Sequence, residues 1–332
     1  EDHPLSLGLE LGGTGAATLN ALIDECDLVL VIGCKLSHNA SRGFRLRLPE
    51  QKFIHVDASP QTLGANYPPR IALEADAGAF VDVLLDVLGP DATPAAGFDA
   101  ADLDRVRSRG RAEASTEHVE PRIHGVPGAS AESFFAALRR AMPREACLVT
   151  DSGLHQVLAR RHFRVLHPRT FMTPTNLQSM GFAVGAAIGA CVADPSRPVV
   201  ALLGDGGFMM SGLELIVAVR ERLRLTVIVF VDGAYGLIRA QQLETTGRVH
   251  GTEFEAPDIA GIAAAIGAGH ARIEPGADAE AVLAAAVGSS GVTIVEVAVG
   301  DSLPMHWMRA KATARTLVRP VAKLLLRKLR RR

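Results

Sequence analysis

Two aspartates each follow a short apolar run in the second half of this chain of 332 residues. Asp205 stands just beyond residues 198–203, and Asp232 stands at the end of residues 225–231. Runs of this length and composition are typical of strands buried on both faces of a parallel sheet. Open α/β sheets bind their ligands at the carboxyl ends of such strands. Because two carboxylates, a backbone carbonyl and diphosphate oxygens would complete the oxygen shell that Mg²⁺ prefers, the pair predicts a magnesium site.

Three glycines surround the first of these aspartates: Gly204, Gly206 and Gly207. Such glycines let the backbone turn sharply and bring its N–H groups close to a phosphate. Taken singly, Asp205 could simply cap the turn, and Asp232 could begin an ordinary Asp-Gly turn. Together with the glycines, the two aspartates favour a combined metal and diphosphate site.

Residues 204–237 resemble the diphosphate and metal motif of the thiamine diphosphate-dependent enzymes of the acetolactate synthase and 2-oxoacid decarboxylase group. In that family Gly-Asp-Gly is followed by Asn-Asn or by a variant that contains aspartate. The resemblance makes Asp205 the first metal ligand, Asp232 the second and the carbonyl of Ala234 the third. Asp232 departs from the commoner asparagine, and its extra charge should tighten Mg²⁺ binding while leaving the diphosphate less fully neutralised.

The resemblance also assigns the residues that touch the cofactor. His155 would donate a hydrogen bond to a phosphate oxygen, although Leu154 stands where a glutamine is common. Met180 takes the place of the large apolar residue that holds the cofactor in a V shape. This bend brings the reacting atoms of the cofactor together, so the resemblance gives Met180 a catalytic role. Without the motif, His155 would be an ordinary loop residue and Met180 would fill a core gap. The predicted cofactor contacts are Gly153, His155, Met180, Gly204, Gly206, Gly207, Phe208, Tyr235, Gly236 and Leu237.

Apolar runs alternate with helical patterns along most of the chain, which predicts an α/β protein with two doubly wound parallel-sheet domains. A Rossmann-like central domain, N-terminally truncated, is predicted at 1–90, and a linker with a short polar helix at 91–128. The diphosphate- and magnesium-binding domain follows at 129–305. A basic amphipathic tail, 306–332, ends the sequence.

The patterns also predict the elements that position the site. In the first domain we expect helices at 16–24 and 78–88 and strands at 27–33, 52–57 and 70–73. In the second we expect helices at 131–142, 180–192, 257–266 and 278–287 and strands at 147–150, 198–203, 225–231 and 292–299. Ser211 and Glu214 form a capping-box pattern, which predicts one further helix that begins at Ser211.

The central domain holds FAD, a nucleotide or nothing in the family that the chain resembles. Asp57 with Gly12, Gly13 and Gly15 could serve an adenine nucleotide, but a glycine run with no strand before it equally fits a tight loop. FAD is therefore possible in principle and is not favoured.

Composition sets further limits. The formal net charge of −1 provides no global field that would recruit nucleic acid, so no nucleic-acid partner is expected. The four cysteines lie in apolar surroundings without C-x-x-C spacing, which favours reduced core residues in a cytoplasmic protein. No apolar run is long enough to span a membrane.

The tail has its own pattern. Residues 309–332 contain ten Lys or Arg and no acidic residue, with leucines and valines interleaved. A helix there would have one basic and one apolar stripe, interrupted at Pro320, and could make peripheral contact with an anionic membrane. A tail that docks over the site, or a solvated end, explains the same pattern.

The resemblance implies thiamine diphosphate- and Mg²⁺-dependent decarboxylation or carboligation of a 2-oxoacid, in the manner of acetolactate synthase. In the family a glutamate of an N-terminal pyrimidine-binding domain starts the chemistry, and this sequence holds no such domain. We therefore expect the chain to supply the diphosphate-binding part, to be inactive alone, and to act as a homodimer or tetramer or with a separate pyrimidine-domain chain. The alternative is a non-catalytic nucleotide- or phosphate-binding subunit that retains the fold, which Leu154 and Asp232 weakly favour.

Overall fold

The computed structural model describes residues 2–9, 14–90, 97–117 and 120–300. The chain forms two compact units, the first Asp2–His118 and the second starting at Val119. This division falls inside the segment 91–128 that was predicted as a linker. Residues 301–305 and the basic tail, 306–332, lie outside the described residues.

The first unit is an α/β unit with a parallel sheet, as predicted. Its strands are β1 (Val29–Ile32), β2 (Phe53–Asp57) and β3 (Ile71–Glu74), in the order β1-β2-β3. Its described helices are α1 (Ala16–Glu25), α2 (Ala77–Leu88) and α3 (Ala100–Glu117), and a 3₁₀ turn, Glu50–Lys52, precedes β2. The short polar helix expected in the linker is α3, which runs for 18 residues and packs against α1.

The second unit is a six-stranded parallel sheet with helices on both faces, again as predicted. Its strands, in the order β5-β4-β6-β7-β9-β8, are β4 (Cys147–Thr150), β5 (Phe171–Met172), β6 (Val199–Gly204), β7 (Leu225–Val231), β8 (Gly269–Ile273) and β9 (Val292–Ala298). Its described helices are α4 (Ala131–Ala141), α5 (Leu154–His162), α6 (Phe182–Ala193), α7 (Asp205–Ser211), α8 (Leu215–Arg220), α9 (Gly236–Thr246), α10 (Ile259–Ile266) and α11 (Ala279–Gly288). Short 3₁₀ turns lie at Pro127–Ala129 and Gly212–Glu214.

Successive side chains of β6 pack against the helices on opposite faces of the second sheet. Val200 and Leu202 are buried in a cluster with residues of α4, α5 and α11. Val199 and Leu203 are buried on the opposite face with residues of α6, α8 and α10. Burying each of these side chains stabilises the fold by about 1.5–3 kcal/mol. The carboxyl ends of β4, β6 and β7 are therefore held at one edge of a rigid sheet.

The predicted helix start at Ser211 is wrong. Helix α7 begins at Asp205, directly after β6, and ends at Ser211, whose side chain makes no capping hydrogen bond. The Ser211 hydroxyl instead donates to the carbonyl of Gly207, one turn earlier in α7 (3.4 Å). A serine that ends one helix and precedes the next carries the same local pattern as an N-cap, and only the tertiary path of the chain separates the two.

Several elements escaped sequence prediction. The edge strands β5 and β8 and the helices α5 and α9 were not expected, and α5 and α9 carry residues of the predicted site. Cys147 and Cys191 are buried, whereas Cys26 and Cys34 are only half-buried, and all four thiols are free. Among the described residues, no helix has the length and apolar character needed to span a bilayer.

Candidate functional site

Asp205 joins the ends of the two central strands. The residue is fully buried, and its Oδ2 accepts hydrogen bonds from the backbone N–H groups of Gly233 (2.8 Å) and Asp232 (3.2 Å). Its Oδ1 accepts from the N–H of Gly206 (2.8 Å). Burial raises the pKa of the Asp205 carboxyl, and these backbone donors oppose the rise. The backbone therefore holds this carboxylate in place at the edge predicted for the metal.

Asp232 lies beside it. Its Oδ1 accepts a hydrogen bond from the N–H of Ala234 (3.2 Å). Burial, and then the neighbouring charge of Asp205, raises the pKa of Asp232 to about 6, while Arg239 acts in the opposite direction. Two neighbouring carboxylates repel each other strongly in a partly dry site. A divalent cation bound between them would relieve this repulsion. The structure thus brings the two predicted metal ligands to the same edge of the sheet.

The third predicted ligand, Ala234, lies in a short loop that is hydrogen-bonded to the backbone of residues 252–254. The N–H of Tyr235 donates to the carbonyl of Thr252 (2.8 Å), and the N–H of Phe254 donates to that of Gly233 (2.9 Å). These bonds flank Ala234 and align it with Glu253 as an isolated antiparallel bridge. Ala234 lines the same cavity as the two aspartates.

The available donors suit Mg²⁺ with a phosphorylated ligand. No group of three or more His, Cys, Asp or Glu side chains arranged to hold a metal occurs in the described part of the chain. The two aspartates leave the remaining coordination positions to backbone, water or ligand oxygens, the arrangement in which Mg²⁺ binds phosphates. The residues therefore fit a metal ion whose coordination shell is completed by diphosphate oxygens.

His155 supplies a second, independent indication of a ligand. It lies in the first turn of α5, buried against Gly204, and its Nε2 has no hydrogen-bond partner among the described residues. Burial lowers the pKa of His155 to about 4, and a hydrogen bond with the backbone of Asp151 opposes this. A buried polar atom without a partner costs about 1–3 kcal/mol. A phosphate group in the adjoining cavity would supply the missing partner, because its negative charge favours the protonated ring, whose Nε2–H can donate to a phosphate oxygen.

Gly206 and Gly236 are required by their surroundings. A Cβ on Gly206 would lie 2.7 Å from the Tyr235 ring and 3.4 Å from Cε of Met180, and a Cβ on Gly236 would lie 2.6 Å from Oδ2 of Asp232. Real Cβ atoms do not approach other atoms below about 3 Å without a shift of the neighbour. Gly206 therefore lets Tyr235 and Met180 approach the loop that begins at Gly204, and Gly236 leaves room for the Asp232 carboxylate.

These residues line a cavity of about 200 Å³. Most of the predicted contacts line it: Gly153, His155, Met180, Gly204, Asp205, Gly206, Gly207, Asp232, Ala234, Tyr235, Gly236 and Leu237. Phe208 is the exception, because it does not line the cavity and its side chain is buried in the core, against Gly212. At this position α7 turns the ring toward α6 and α8 and away from the site.

Sequence reasoning missed part of the wall. Ser152, Leu158, Gln178 and Ile238 line the cavity, as do Pro121, Phe230 and Val299. Leu154, which was singled out only as a departure from the usual glutamine, also lines it. Asp151, directly after β4, was not among the predicted site residues, yet it is fully buried behind the cavity. The signal was present in the sequence, since Asp151 follows a buried strand just as Asp205 and Asp232 do.

The predicted nucleotide residues of the first unit have other partners. Oδ1 of Asp57 accepts from the N–H of Ser59 (2.8 Å), which is an ordinary turn. The Glu113 carboxylate of α3 accepts from the N–H groups of Ala17 (3.1 Å) and Thr18 (3.0 Å) at the start of α1, the position that a nucleotide phosphate would take. A side chain at Gly15 would overlap this carboxylate. Gly12 and Gly13 lie outside the described residues.

A doubly wound α/β fold with paired carboxylates and a glycine-rich loop at the strand ends is an arrangement at which open α/β sheets bind phosphorylated ligands. Residues 151–297 match the family model for the thiamine pyrophosphate enzyme C-terminal TPP-binding domain, and residues 1–84 match the model for the central domain of the same enzymes. The chain belongs to the thiamine diphosphate-dependent enzyme family.

Individual relatives agree with this membership. The chain is 29% identical to the acetolactate synthase isozyme 2 large subunit of Escherichia coli K12 over 308 residues, which is 92% of this chain and 53% of that protein. It is 33% identical to the isozyme 1 large subunit of the same organism over 244 residues, 72% of this chain and 41% of that protein. It is 30% identical to a probable 2-ketoarginine decarboxylase of Pseudomonas aeruginosa over 298 residues, 89% of this chain and 50% of that protein. The chain thus spans about half the length of these curated relatives.

Proposed function

We propose that this chain binds thiamine diphosphate through Mg²⁺ and contributes to decarboxylation or carboligation of a 2-oxoacid, as in acetolactate synthase. The observation that carries the proposal is the junction at Asp205. Its carboxylate joins the ends of β6 and β7 and brings Asp232 into the cavity that contains the unpartnered Nε2 of His155.

Each group then has a role in cofactor binding. The carboxylates of Asp205 and Asp232 and the carbonyl of Ala234 would hold Mg²⁺, and His155 with the backbone of the loop 204–207 would hold the diphosphate. No lysine or arginine is among the described residues that line the cavity. Neutralisation of the diphosphate therefore rests on the cation and on backbone N–H groups.

When bound, thiamine diphosphate supplies a carbon nucleophile and an electron sink for the loss of carbon dioxide and for carbon–carbon bond formation. Met180 would support the thiazolium side of the cofactor, since its methyl group reaches toward Gly206 across the loop. Leu154, Leu158 and Ile238 add apolar lining to the cavity, which would help to exclude water when the cofactor is bound. Gln178 adds a further polar side chain to the lining.

An exposed apolar face beside the site supports the proposed oligomer. Met209 and Met210 of α7, with Leu213 and Ile216, are each more than half exposed. Contiguous apolar surface of this kind marks interaction sites. We propose that a second copy, or a chain that carries the pyrimidine-binding domain, covers this face, and that this chain has no turnover without it.

Thermal unfolding with added ligands tests the binding proposal. Mg²⁺ together with thiamine diphosphate should raise the melting temperature more than either alone, because a ligand at about 100 times its Kd stabilises the folded state by about 2.7 kcal/mol. FAD and NAD are the controls, and a response to FAD without any response to thiamine diphosphate would support the non-catalytic nucleotide-binding subunit instead. Robust decarboxylation of a 2-oxoacid by the monomeric chain would contradict the need for a partner.

A further inference from the structure

Asp151 is a buried acid with no metal or substrate role in the proposed site. It follows β4 directly, and its N–H donates to the carbonyl of Leu202 in β6 (2.8 Å), which extends the sheet by one residue. Its side chain is fully buried and lies behind the wall of the cavity. A carboxylate in this position needs strong partners, because burial of a charge is costly.

Its partners are the first amides of α6. Oδ2 of Asp151 accepts from the N–H of Gly181 (2.8 Å), and Oδ1 accepts from the N–H of Ala183 (3.3 Å). Gly181 is the N-cap residue of α6, with φ +81°, and has no side chain to cap the helix. Asp151 therefore provides, from a neighbouring strand, the acceptor that an N-cap side chain usually provides.

The same oxygen also touches the diphosphate loop. A Cβ on Gly207 would overlap Oδ2 of Asp151 and would lie 3.9 Å from the N atom of Gly181. One carboxylate oxygen thus separates the turn that follows Met180 from the loop 204–207. Asp205 holds that loop independently, through its own hydrogen bonds to Gly206 and Gly233.

The turn that carries Met180 needs this support. Gln178 has φ +54° and Gly181 has φ +81°, so two left-handed residues flank the pair 179–180. A non-glycine residue in this region is strained and persists only when its surroundings hold it there. Both Gln178 and Met180 line the cavity.

We propose that Asp151 is a positioning residue whose carboxylate sets the spacing between the Met180 turn and the loop 204–207, and thereby the bent posture of bound thiamine diphosphate. The inference rests on the proposed function. Loss of the carboxylate should release the Met180 turn while the metal and diphosphate ligands keep their places. Binding of the whole cofactor should then suffer more than binding of its diphosphate part.

Calorimetric titration of the full chain with two probes tests this, thiamine diphosphate and inorganic diphosphate, each with Mg²⁺. Asp151→Asn should weaken the binding of thiamine diphosphate by about tenfold or more, as expected when a hydrogen bond to a charged acceptor is lost. Binding of inorganic diphosphate should change less than about twofold, since Asp205 and its partners are untouched. Asp258→Asn is the matched control, because Asp258 caps α10 through the N–H of Gly261 (2.9 Å) away from the cavity.

A second comparison does not depend on how an asparagine behaves at position 151. Gly207→Ala places a methyl group against Oδ2 of Asp151 and should weaken thiamine diphosphate, whereas the same change in an Asp151→Ala background should add no further loss. Hydrogen exchange without ligand gives a separate readout. The peptide 176–184 should lose protection in Asp151→Asn and keep it in Asp258→Asn.

The outcomes separate the two proposals. If the wild-type chain binds neither probe, the proposed function fails. If it binds both, but Asp151→Asn weakens both equally or behaves like Asp258→Asn, Asp151 has only a structural role and the inference is overturned. Additive losses for Gly207→Ala and Asp151→Ala would overturn it as well.

Discussion

Replacing Asp232 by asparagine should stabilise the metal-free protein at neutral pH. The raised pKa of Asp232, about 6, compares with about 3.9 for an aspartate in an unfolded chain. The folded state therefore holds this proton more tightly than the unfolded state does. The contribution favours folding below about pH 4 and is lost as the pH rises to about 6.

The size of the effect follows from the same two values. One pKa unit corresponds to about 1.4 kcal/mol, so the charged Asp232 costs the folded state about 3 kcal/mol above about pH 6. Asparagine has the same shape, cannot ionise, and can still accept the hydrogen bond from the N–H of Ala234. The variant should therefore escape this cost without losing the turn.

Urea unfolding of both proteins between about pH 4 and about pH 8, followed by circular dichroism, measures the difference. The variant should match the wild type in free energy of unfolding at about pH 4 and exceed it by about 2–3 kcal/mol at about pH 7. Mg²⁺ with thiamine diphosphate should reverse the order, because the cation relieves the repulsion between Asp232 and Asp205 and binds a carboxylate better than an amide. The reasoning would be refuted if the wild type were more stable than the variant at neutral pH without metal. It would also be refuted if the difference in free energy of unfolding did not change with pH.

Three further substitutions test other parts of the structure. Gly206→Ala should weaken thiamine diphosphate by about tenfold or more in calorimetry, because its methyl group would overlap the Tyr235 ring. Its control is Gly185→Ala in α6, where a Cβ meets no atom within 4 Å and the change should add about 0.5–1 kcal/mol of stability. Equal effects of the two substitutions on thiamine diphosphate binding would contradict the role of the contact with Tyr235. His155→Gln should reduce acid sensitivity, since the lowered pKa of His155, about 4, makes the folded state lose up to about 3 kcal/mol as the pH falls from about 6.5 through about 4. Identical acid-unfolding curves would refute this. Glu113→Ala should cost the first unit about 1 kcal/mol and expose the N–H groups of Ala17 and Thr18 to hydrogen exchange; unchanged protection at those amides would show that the cap is unimportant.

The sequence by itself determined the strands that build the site and the pair of acids at their ends. The apolar runs at 147–150 and 225–231 are β4 and β7 to the residue, because short, continuous apolar runs are typical of strands covered on both faces. Asp205 and Asp232 could be placed together in advance, since β6 and β7 are sequential and parallel neighbours end at one edge.

Only the tertiary structure decided which distant groups support that edge. The bond from Gly181 to Asp151 spans 30 residues, and that from Ala17 to Glu113 spans 96, and neither leaves a mark in the local pattern. The inward ring of Phe208 and the start of α7 at Asp205 depend in the same way on what packs against them. Periodicity records whether a residue is buried, but the identity of its partner is set by contacts between segments that only the folded chain brings together.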